Sequence, residues 1–292
     1  MEPVLFCSHG GGPSFFLTES SPTGILHGMD SRSECCAHFK SCMGRLYEGR
    51  ARPKAILVIS AHWEGEGGAV EVLSAEKLLY DYYNFPEHTY SLSYDCPTVA
   101  PELMDKVQQL VSRGGFTCRK NCDRGFDHGV FIPLKLLVPQ AEIPVLQVSL
   151  LASFDAAQHI ALGEALAPLR REGVLIVGSG QATHNLQRLR GPQTDVAWAH
   201  AFQSWLDETV TGDIGKEERR RLLERWDEEA PHGRVAHPRE EHLLPLLAAA
   251  GAAGLEVGAE KMWGGWAAGH LSLASYAWRA GTGSSSSSSS SS

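Results

Sequence analysis

Several signatures of common protein classes are missing from this sequence. No apolar run approaches the roughly 18 residues of a membrane-spanning helix, and no charged-then-apolar leader opens the chain. Positive charge is also scarce, because 26 Lys and Arg stand against 34 Asp and Glu, for a formal net charge of −8. These absences predict a cytoplasmic protein that binds neither a membrane nor nucleic acid.

Familiar chemical motifs are absent as well. None of the seven cysteines forms a CxxC pair, so the sequence favours reduced thiols over a zinc site or a disulfide framework. The HExxH motif is not found, the glycines from Gly10 to Gly12 lack GxGxxG spacing, and Gly178-Ser179-Gly180 lacks GxSxG spacing. The sequence therefore gives little support to a zincin, a dinucleotide-binding protein or a serine hydrolase of the nucleophile-elbow type.

What is present is the composition of an ordinary globular protein, with 292 residues of which 43% are hydrophobic. No linker or repeat interrupts the chain before its end, so we expect one domain over residues 1–280. The serine-rich tail over residues 281–292 cannot bury apolar surface and is expected to be disordered. A domain this long needs no metal for folding, so any metal it binds is expected to serve chemistry.

Short apolar runs alternate with amphipathic stretches along the chain. The predicted strands are Val4–Phe6, Ala55–Ile59, Ile143–Val148 and Val174–Val177. The predicted helices are Val99–Arg113, Asp155–Arg171, Asp195–Val210, Lys216–Glu229 and Glu240–Ala253, with Asp155 and Asp195 as N-caps and Gly173 after the second helix. This alternation predicts an α/β fold, a single domain with a mainly parallel central sheet flanked by helices.

Three of the predicted strands run into small residues followed by a histidine. Val4–Phe6 leads to His9, Ala55–Ile59 leads to His62, and Val174–Val177 leads to His184. Ligands of parallel α/β sheets bind beyond the carboxyl ends of the strands. The sequence therefore predicts that these histidines meet in one cleft, with a metal site at the carboxyl ends of the strands.

Five short motifs and one aromatic segment together resemble a known family. The motifs are Ser8-His9-Gly10, Ser60-Ala61-His62-Trp63, Asp127-His128-Gly129, Thr183-His184-Asn185-Leu186 and Glu241-His242-Leu243-Leu244-Pro245-Leu246, with the segment Asp81-Tyr82-Tyr83-Asn84-Phe85-Pro86. In order and spacing they look like the class III extradiol ring-cleaving dioxygenases, and more narrowly their DOPA 4,5-dioxygenase branch. The resemblance extends from His9 to about Ser272.

The resemblance implies a role for each matching residue. His9, His62 and His242 would hold the metal, with Fe(II) expected for activity and Zn(II) possible in the isolated protein. His184 would be the catalytic acid–base residue and His128 a catalytic residue lining the pocket, while the matching segments suggest Tyr82 and Trp63 as substrate-binding residues. The expected reactants are a small-molecule catechol, DOPA-like, and O₂.

Other interpretations stay open at this point. The wider family commonly binds iron through two histidines and a glutamate, so Glu240 or Glu241 could replace His242 as a ligand. Three histidines with an open position also describe a zinc hydrolase, and Memo-like relatives with this fold act without catalysis. The sequence leaves open the particular catechol, 4,5 against 2,3 cleavage, and the oligomeric state.

Overall fold

The computed structural model describes residues 1–21, 24–190 and 196–279. Its strands are β1 (Val4–Ser8), β2 (Ala55–Glu64), β3 (Val70–Leu73), β4 (Cys118–Lys120), β5 (Val145–Leu150), β6 (Val174–Gly180), β7 (Glu260–Trp263), β8 (Trp266–Ala267), β9 (Leu271–Ser272) and β10 (Ser275–Trp278). Its α-helices are α1 (Glu34–Leu46), α2 (Pro101–Arg113), α3 (His128–Leu137), α4 (Ala156–Leu166), α5 (Ala197–Thr211), α6 (Lys216–Glu224), α7 (Trp226–Glu229), α8 (Gly233–Ala236) and α9 (Leu244–Ala253).

Eight strands form the central sheet in the order β4-β3-β5-β2-β6-β1-β10-β7. The middle of the sheet is parallel, because β2 pairs in parallel with β5 and β6, and β6 pairs in parallel with β1. The margins are mixed: β3 pairs antiparallel with β5, and β10 pairs antiparallel with both β1 and β7. The predicted α/β fold with a mainly parallel sheet is confirmed, and β1, β6 and β2 lie side by side.

Alternate residues of the central strands enter two separate cores. Phe6 of β1 and Leu57 of β2 belong to one core, which also contains apolar residues of α4, α5 and α9. Leu5 and Ile56 belong to the other, together with residues of α1 and α3. The sheet is therefore covered by helices on both faces, which explains why its central strands begin with continuous apolar runs.

Several predicted boundaries need correction. β2 continues through His62 to Glu64, because its last residues turn away from β6 after Ser60 and pair again with β5 at Leu150. Helix α9 begins at Leu244 because Pro245 occupies its first turn, where a missing N–H costs nothing. The predicted helix Lys216–Glu229 is two helices that meet at Arg225.

The second predicted helix is also divided, and its two ends follow the predicted signals. The α-helical part ends at Leu166, and a 3-10 segment, Ala167–Glu172, follows it. Asp155 caps the helix through a hydrogen bond from the Gln158 amide, and Gly173 adopts the left-handed conformation expected after a helix end. The other predicted N-cap, Asp195, and the serine-rich tail lie outside the described residues. Within the described ranges no helix has the length and apolar character needed to cross a membrane.

Candidate active site

The histidines that follow the central strands meet at one edge of the sheet. His9 comes directly after β1, His62 lies near the end of β2, and His184 follows β6. His242 comes from the segment before α9, and His128 is the first residue of α3. The structure therefore brings together all five histidines that the sequence singled out for the site.

Three of these histidines point the same nitrogen at one another. The Nε2 atoms of His9 and His62 lie 3.1 Å apart, and those of His62 and His242 lie 3.3 Å apart. Two nitrogens bound to one ion at about 2.0–2.1 Å, with angles near 90–110°, would lie roughly 2.9–3.4 Å apart. Both distances fall within this range. Among the described residues, the side chains that could hold a metal form two adjoining groups, one of His9, His62 and His128 and one of His184, Glu241 and His242.

The hydrogen bond at Nδ1 of His9 determines which of its two ring nitrogens carries the proton. Ser179 Oγ donates its hydrogen to the Gly129 carbonyl, so it can only accept from His9 Nδ1, which lies 3.0 Å away. His9 Nε2 is therefore unprotonated, and its lone pair faces the centre of the site.

Asp81 orients two further histidines in the same way. Its Oδ1 accepts hydrogen bonds from His128 Nδ1 at 2.8 Å and from the His128 amide at 2.9 Å, while its Oδ2 lies 3.5 Å from His62 Nδ1. Burial alone would raise the pKa of Asp81, but the hydrogen bonds and charge of His128 and the charge of His62 outweigh it and lower this pKa to about 2. An ionised Asp81 thus leaves both Nε2 lone pairs directed into the site.

Glu241 lies beside the Nδ1 atoms of the other two histidines, His184 and His242. Its Oε1 accepts from His242 Nδ1 at 3.0 Å and lies 3.7 Å from His184 Nδ1. The rings of His184 and His242 stack with centroids 3.5 Å apart. Glu241 therefore contacts the back of His242, opposite Nε2, whereas Glu240 pairs with Arg234 at the surface. This arrangement favours His242 over either glutamate as the group that faces the metal position.

Burial keeps His9, His62, His184 and His242 neutral. Burial, followed by the charge of neighbouring histidines, holds the pKa values of His9, His62 and His242 well below their usual range. The pKa of His184 is lowered to about 3 by burial, with smaller contributions from His237 and His128. Neutral imidazole is the form that binds metals. Three unprotonated nitrogens that face one another cannot hydrogen-bond among themselves, so these residues fit a bound cation.

Glycines at the end of β6 let the segment that carries His242 lie directly on the strand. A Cβ atom at Gly180 would come within 2.2 Å of the His242 carbonyl oxygen, and one at Gly178 would meet the Pro245 carbonyl at the same distance. The Gln181 amide donates to the His242 carbonyl, and the His9 amide donates to the Gly180 carbonyl. Two ligand candidates are thus held to one strand end by backbone hydrogen bonds.

A cavity of about 630 Å³ opens above the histidines. His62, His128, His184 and His242 form its polar part, while residues of the segments 10–29, 84–86 and 186–189 form most of its wall. A small molecule in this cavity would contact the Nε2 side of the cluster. The arrangement can hold a metal ion beside a bound organic substrate and present His184 to both.

Two predicted substrate contacts lie away from this cavity. Tyr82 is buried below the wall, and its hydroxyl donates to the Thr89 carbonyl, so Tyr82 supports neighbouring Phe85 instead. Trp63 follows His62 on β2, and successive strand residues point to opposite faces. Its ring packs under the Arg124 guanidinium, which donates to the His62 carbonyl. Direct substrate binding by Tyr82 and Trp63 is therefore not supported by their placement.

Asp81, Ser179 and Phe85 were not assigned roles from the sequence. Asp81 and Phe85 lie inside the aromatic segment that matches the family, so their position in that motif was the available signal. Ser179 lies between two glycines at a strand end, a context that predicts close packing but does not identify a hydrogen-bond partner.

Comparison with known proteins finds the family that the histidine motifs resemble. The chain matches the family described as "Catalytic LigB subunit of aromatic ring-opening dioxygenase" over residues 5–277. It is 38% identical to a protein of Beta vulgaris named "4,5-DOPA dioxygenase extradiol", covering 90% of this chain and 95% of that protein. A Portulaca grandiflora protein of the same name is 39% identical, covering 77% of this chain and 82% of that protein.

A solved structure shares the fold as well. The crystal structure of an uncharacterised protein from Escherichia coli K12 matches with a TM-score of 0.72 and 29% sequence identity, covering 96% of this chain and all of that one. The family match spans β1 to β10 and includes every histidine of the cluster. This chain therefore belongs to the LigB family of aromatic ring-opening dioxygenases, the class III extradiol enzymes that its histidine motifs resemble.

Proposed function

We propose that this enzyme opens the ring of a catechol, DOPA being the first candidate, with O₂ and a bound Fe(II). The observation that carries the proposal is the convergence of the His9, His62 and His242 Nε2 atoms beneath a cavity that also contains His184 and His128. The relatives named for 4,5-DOPA support the choice of substrate.

In this proposal His9, His62 and His242 would hold the iron next to the cavity. Iron bound there would lower the pKa of the catechol hydroxyls and would supply the redox access to O₂ that zinc lacks. The three ligands are neutral, so they leave the positive charge of the ion uncancelled and favour an anionic catechol.

The remaining histidines act on the substrate. His184 lines the cavity in its neutral form and accepts a proton from a catechol hydroxyl, and it later returns a proton to the opening ring. His128, whose Nδ1 is committed to Asp81, turns Nε2 toward the substrate. The apolar wall limits access of water to the reacting ring.

Oxygen uptake tests this function. Metal-free protein is loaded anaerobically with Fe(II) or with Zn(II) and mixed with DOPA and a panel of catechols. We expect uptake with Fe(II) only, with a yellow ring-opened product. Absence of uptake with every catechol despite tight metal binding would overturn the proposal.

The role of His184 is tested by His184→Gln, with His200→Gln as a matched control because His200 is exposed on α5. We expect kcat of His184→Gln to fall by about 10²–10⁴-fold, the range for loss of a general acid–base group. Its metal affinity should stay unchanged, since Nε2 of the three proposed ligands is untouched. Equal activity of the two variants would exclude this role.

A further inference from the structure

The wall of the cavity is apolar from its buried part to its mouth. Met29 and Leu271 are buried in it, Leu26 is half-buried, and Ile25 and Leu186 are 53% and 51% exposed. The described residues leave only six large apolar side chains exposed, and two of these six stand at this cavity. Exposed apolar side chains that share the mouth of one cavity mark a surface that a ligand covers.

The polar side chains of the described lining are the histidines, Gln181, Thr18 and Asn84. Gln181 uses both ends of its amide on backbone groups, donating to Ser272 O at 2.6 Å and accepting from the Gly10 amide at 3.2 Å. Thr18 Oγ1 lies 3.1 Å from Ser31 Oγ, and Asn84 is exposed. In the part of the lining that the structure describes, no Lys, Arg, Asp or Glu occurs.

These features bear on the group attached to the catechol ring. The cavity of about 630 Å³ lies in the range that buries drug-sized ligands, roughly 300–1,000 Å³, so it has room for more than one ring. An amino-acid substituent carries a carboxylate and an ammonium. Moving these charges out of water without charged partners is unfavourable in free energy. Burial of an alkyl or aryl substituent against the same wall is favourable in free energy.

We propose that this enzyme prefers catechols whose ring carries an apolar substituent, and that the substituent packs against Leu26, Ile25 and Leu186. The inference rests on the proposed catechol cleavage, and within the catechols it puts apolar-substituted rings ahead of DOPA as preferred substrates. It places the catechol oxygens at the histidines and the substituent toward the mouth of the cavity.

Steady-state oxygen uptake by the Fe(II)-loaded enzyme compares 4-methyl-, 4-ethyl-, 4-propyl- and 4-butylcatechol with DOPA. The compound 4-propylcatechol is the matched partner, because its chain has the three carbons of the DOPA side chain without the charges. We expect kcat/KM to rise by up to about fourfold for each added methylene, the factor for full burial. The value for 4-propylcatechol should exceed that for DOPA by about tenfold or more.

Binding without turnover provides an independent measurement. Calorimetric titration of the metal-free protein compares 4-propylphenol with tyrosine, which differ in the same way and have a single hydroxyl. We expect 4-propylphenol to bind more tightly. The variants Leu26→Ala and Leu186→Ala should flatten the dependence on chain length, whereas Val257→Ala, which removes an exposed apolar side chain elsewhere, should not.

The outcomes separate this inference from the proposed function. Uptake with all catechols but a kcat/KM for DOPA equal to or above that for 4-propylcatechol would overturn the inference and leave catechol cleavage standing. Absence of uptake with every catechol would overturn the proposed function, and the titration would then decide the inference. Tyrosine binding as tightly as 4-propylphenol would refute it.

Discussion

Two carboxylates each orient a pair of histidines at the site. Asp81 contacts Nδ1 of both His62 and His128, and Glu241 contacts Nδ1 of His242 and approaches that of His184. Each pair contains one proposed metal ligand and one residue proposed to act on the substrate. A single carboxylate therefore links the geometry of metal binding to that of substrate binding.

Replacement of Asp81 should weaken metal binding. In Asp81→Asn the charge that holds the Nδ1 protons of His62 and His128 is lost, so both rings can rotate or change tautomer. Loss of such a supporting group typically lowers metal affinity by about 10–100-fold. Competition titration against a chelator measures this, with Asp105→Asn as control, because Asp105 is exposed and pairs with Lys120. Equal affinities would show that Asp81 does not position the ligands.

The sequence predicted the histidines of the cluster but not the groups that orient them. His9, His62 and His184 follow apolar strands, and parallel strand ends meet in space, so their convergence follows from local pattern. Asp81 lies in a loop between β3 and α2, where no periodicity specifies its direction. Substrate binding by Tyr82 and Trp63 stays a prediction. Neither residue lines the cavity, because sequence proximity to a site residue does not determine the face on which a side chain lies.

Helices and strands were predictable where their apolar pattern was regular. α2 is amphipathic and was predicted to within two residues of its start. α1 and α3 were not predicted. Helix α3 is almost entirely apolar and contains Pro133, so it shows no helical period. The antiparallel strand β10 has four residues, and it depends on pairing with β1, which no local signal reveals.

The contact between β6 and the segment before α9 depends on a missing side chain. In Gly180→Ala the new Cβ would lie 2.2 Å from the His242 carbonyl oxygen, so the segment must move away from β6. We expect a destabilisation of about 1–3 kcal/mol and weaker metal binding. Urea unfolding and metal titration measure both effects.

Gly44→Ala is the control for this substitution. Gly44 lies inside α1 with open space around its Cβ position, so alanine should stabilise the helix by up to about 1 kcal/mol. A Gly180→Ala protein with unchanged stability and affinity would show that the segment can shift without consequence.

Helix α4 should contribute to acid sensitivity through His159. This buried residue donates from Nδ1 to the Asp155 carbonyl and accepts the Leu151 amide at Nε2, so only its neutral form makes both bonds. Burial lowers its pKa to about 4, below the value of about 6.5 in the unfolded chain. Its contribution to stability is therefore complete above pH 6.5 and is lost as the pH falls toward 4.

The comparison of wild type with His159→Gln isolates this contribution. From the two pKa values, acidification from pH 7 to pH 5 should lower the unfolding free energy of wild type by roughly 2 kcal/mol more than that of the variant. Urea unfolding at both pH values measures the difference. An identical pH dependence of the two proteins would contradict the assignment.

The proposed metal site joins parts of the chain that are far apart in sequence. His9, His62 and His242 come from β1, β2 and the segment before α9, and these meet only in the folded state. An ion that binds the folded state alone stabilises it by about 4 kcal/mol at 1,000 times its dissociation constant. The metal should therefore raise the thermal stability of the whole domain.

Thermal unfolding with and without Fe(II) or Zn(II) tests this expectation. For a chain of this size such stabilisation corresponds to a rise in Tm of roughly 7 °C. In His242→Ala the rise should largely disappear, whereas in His200→Ala it should persist. A full rise in His242→Ala would remove His242 from the proposed ligand set.

The position of β1 in the sheet has a consequence for synthesis on the ribosome. β1 is synthesised well before its two neighbours in the sheet, β6 and β10, which begin at Val174 and Ser275. At roughly 5–20 residues per second, this apolar strand waits about ten to thirty seconds for its first neighbour. The nascent chain must shield β1 from aggregation during that interval, and the edge that receives β10 stays open until Ser275–Trp278 has been synthesised.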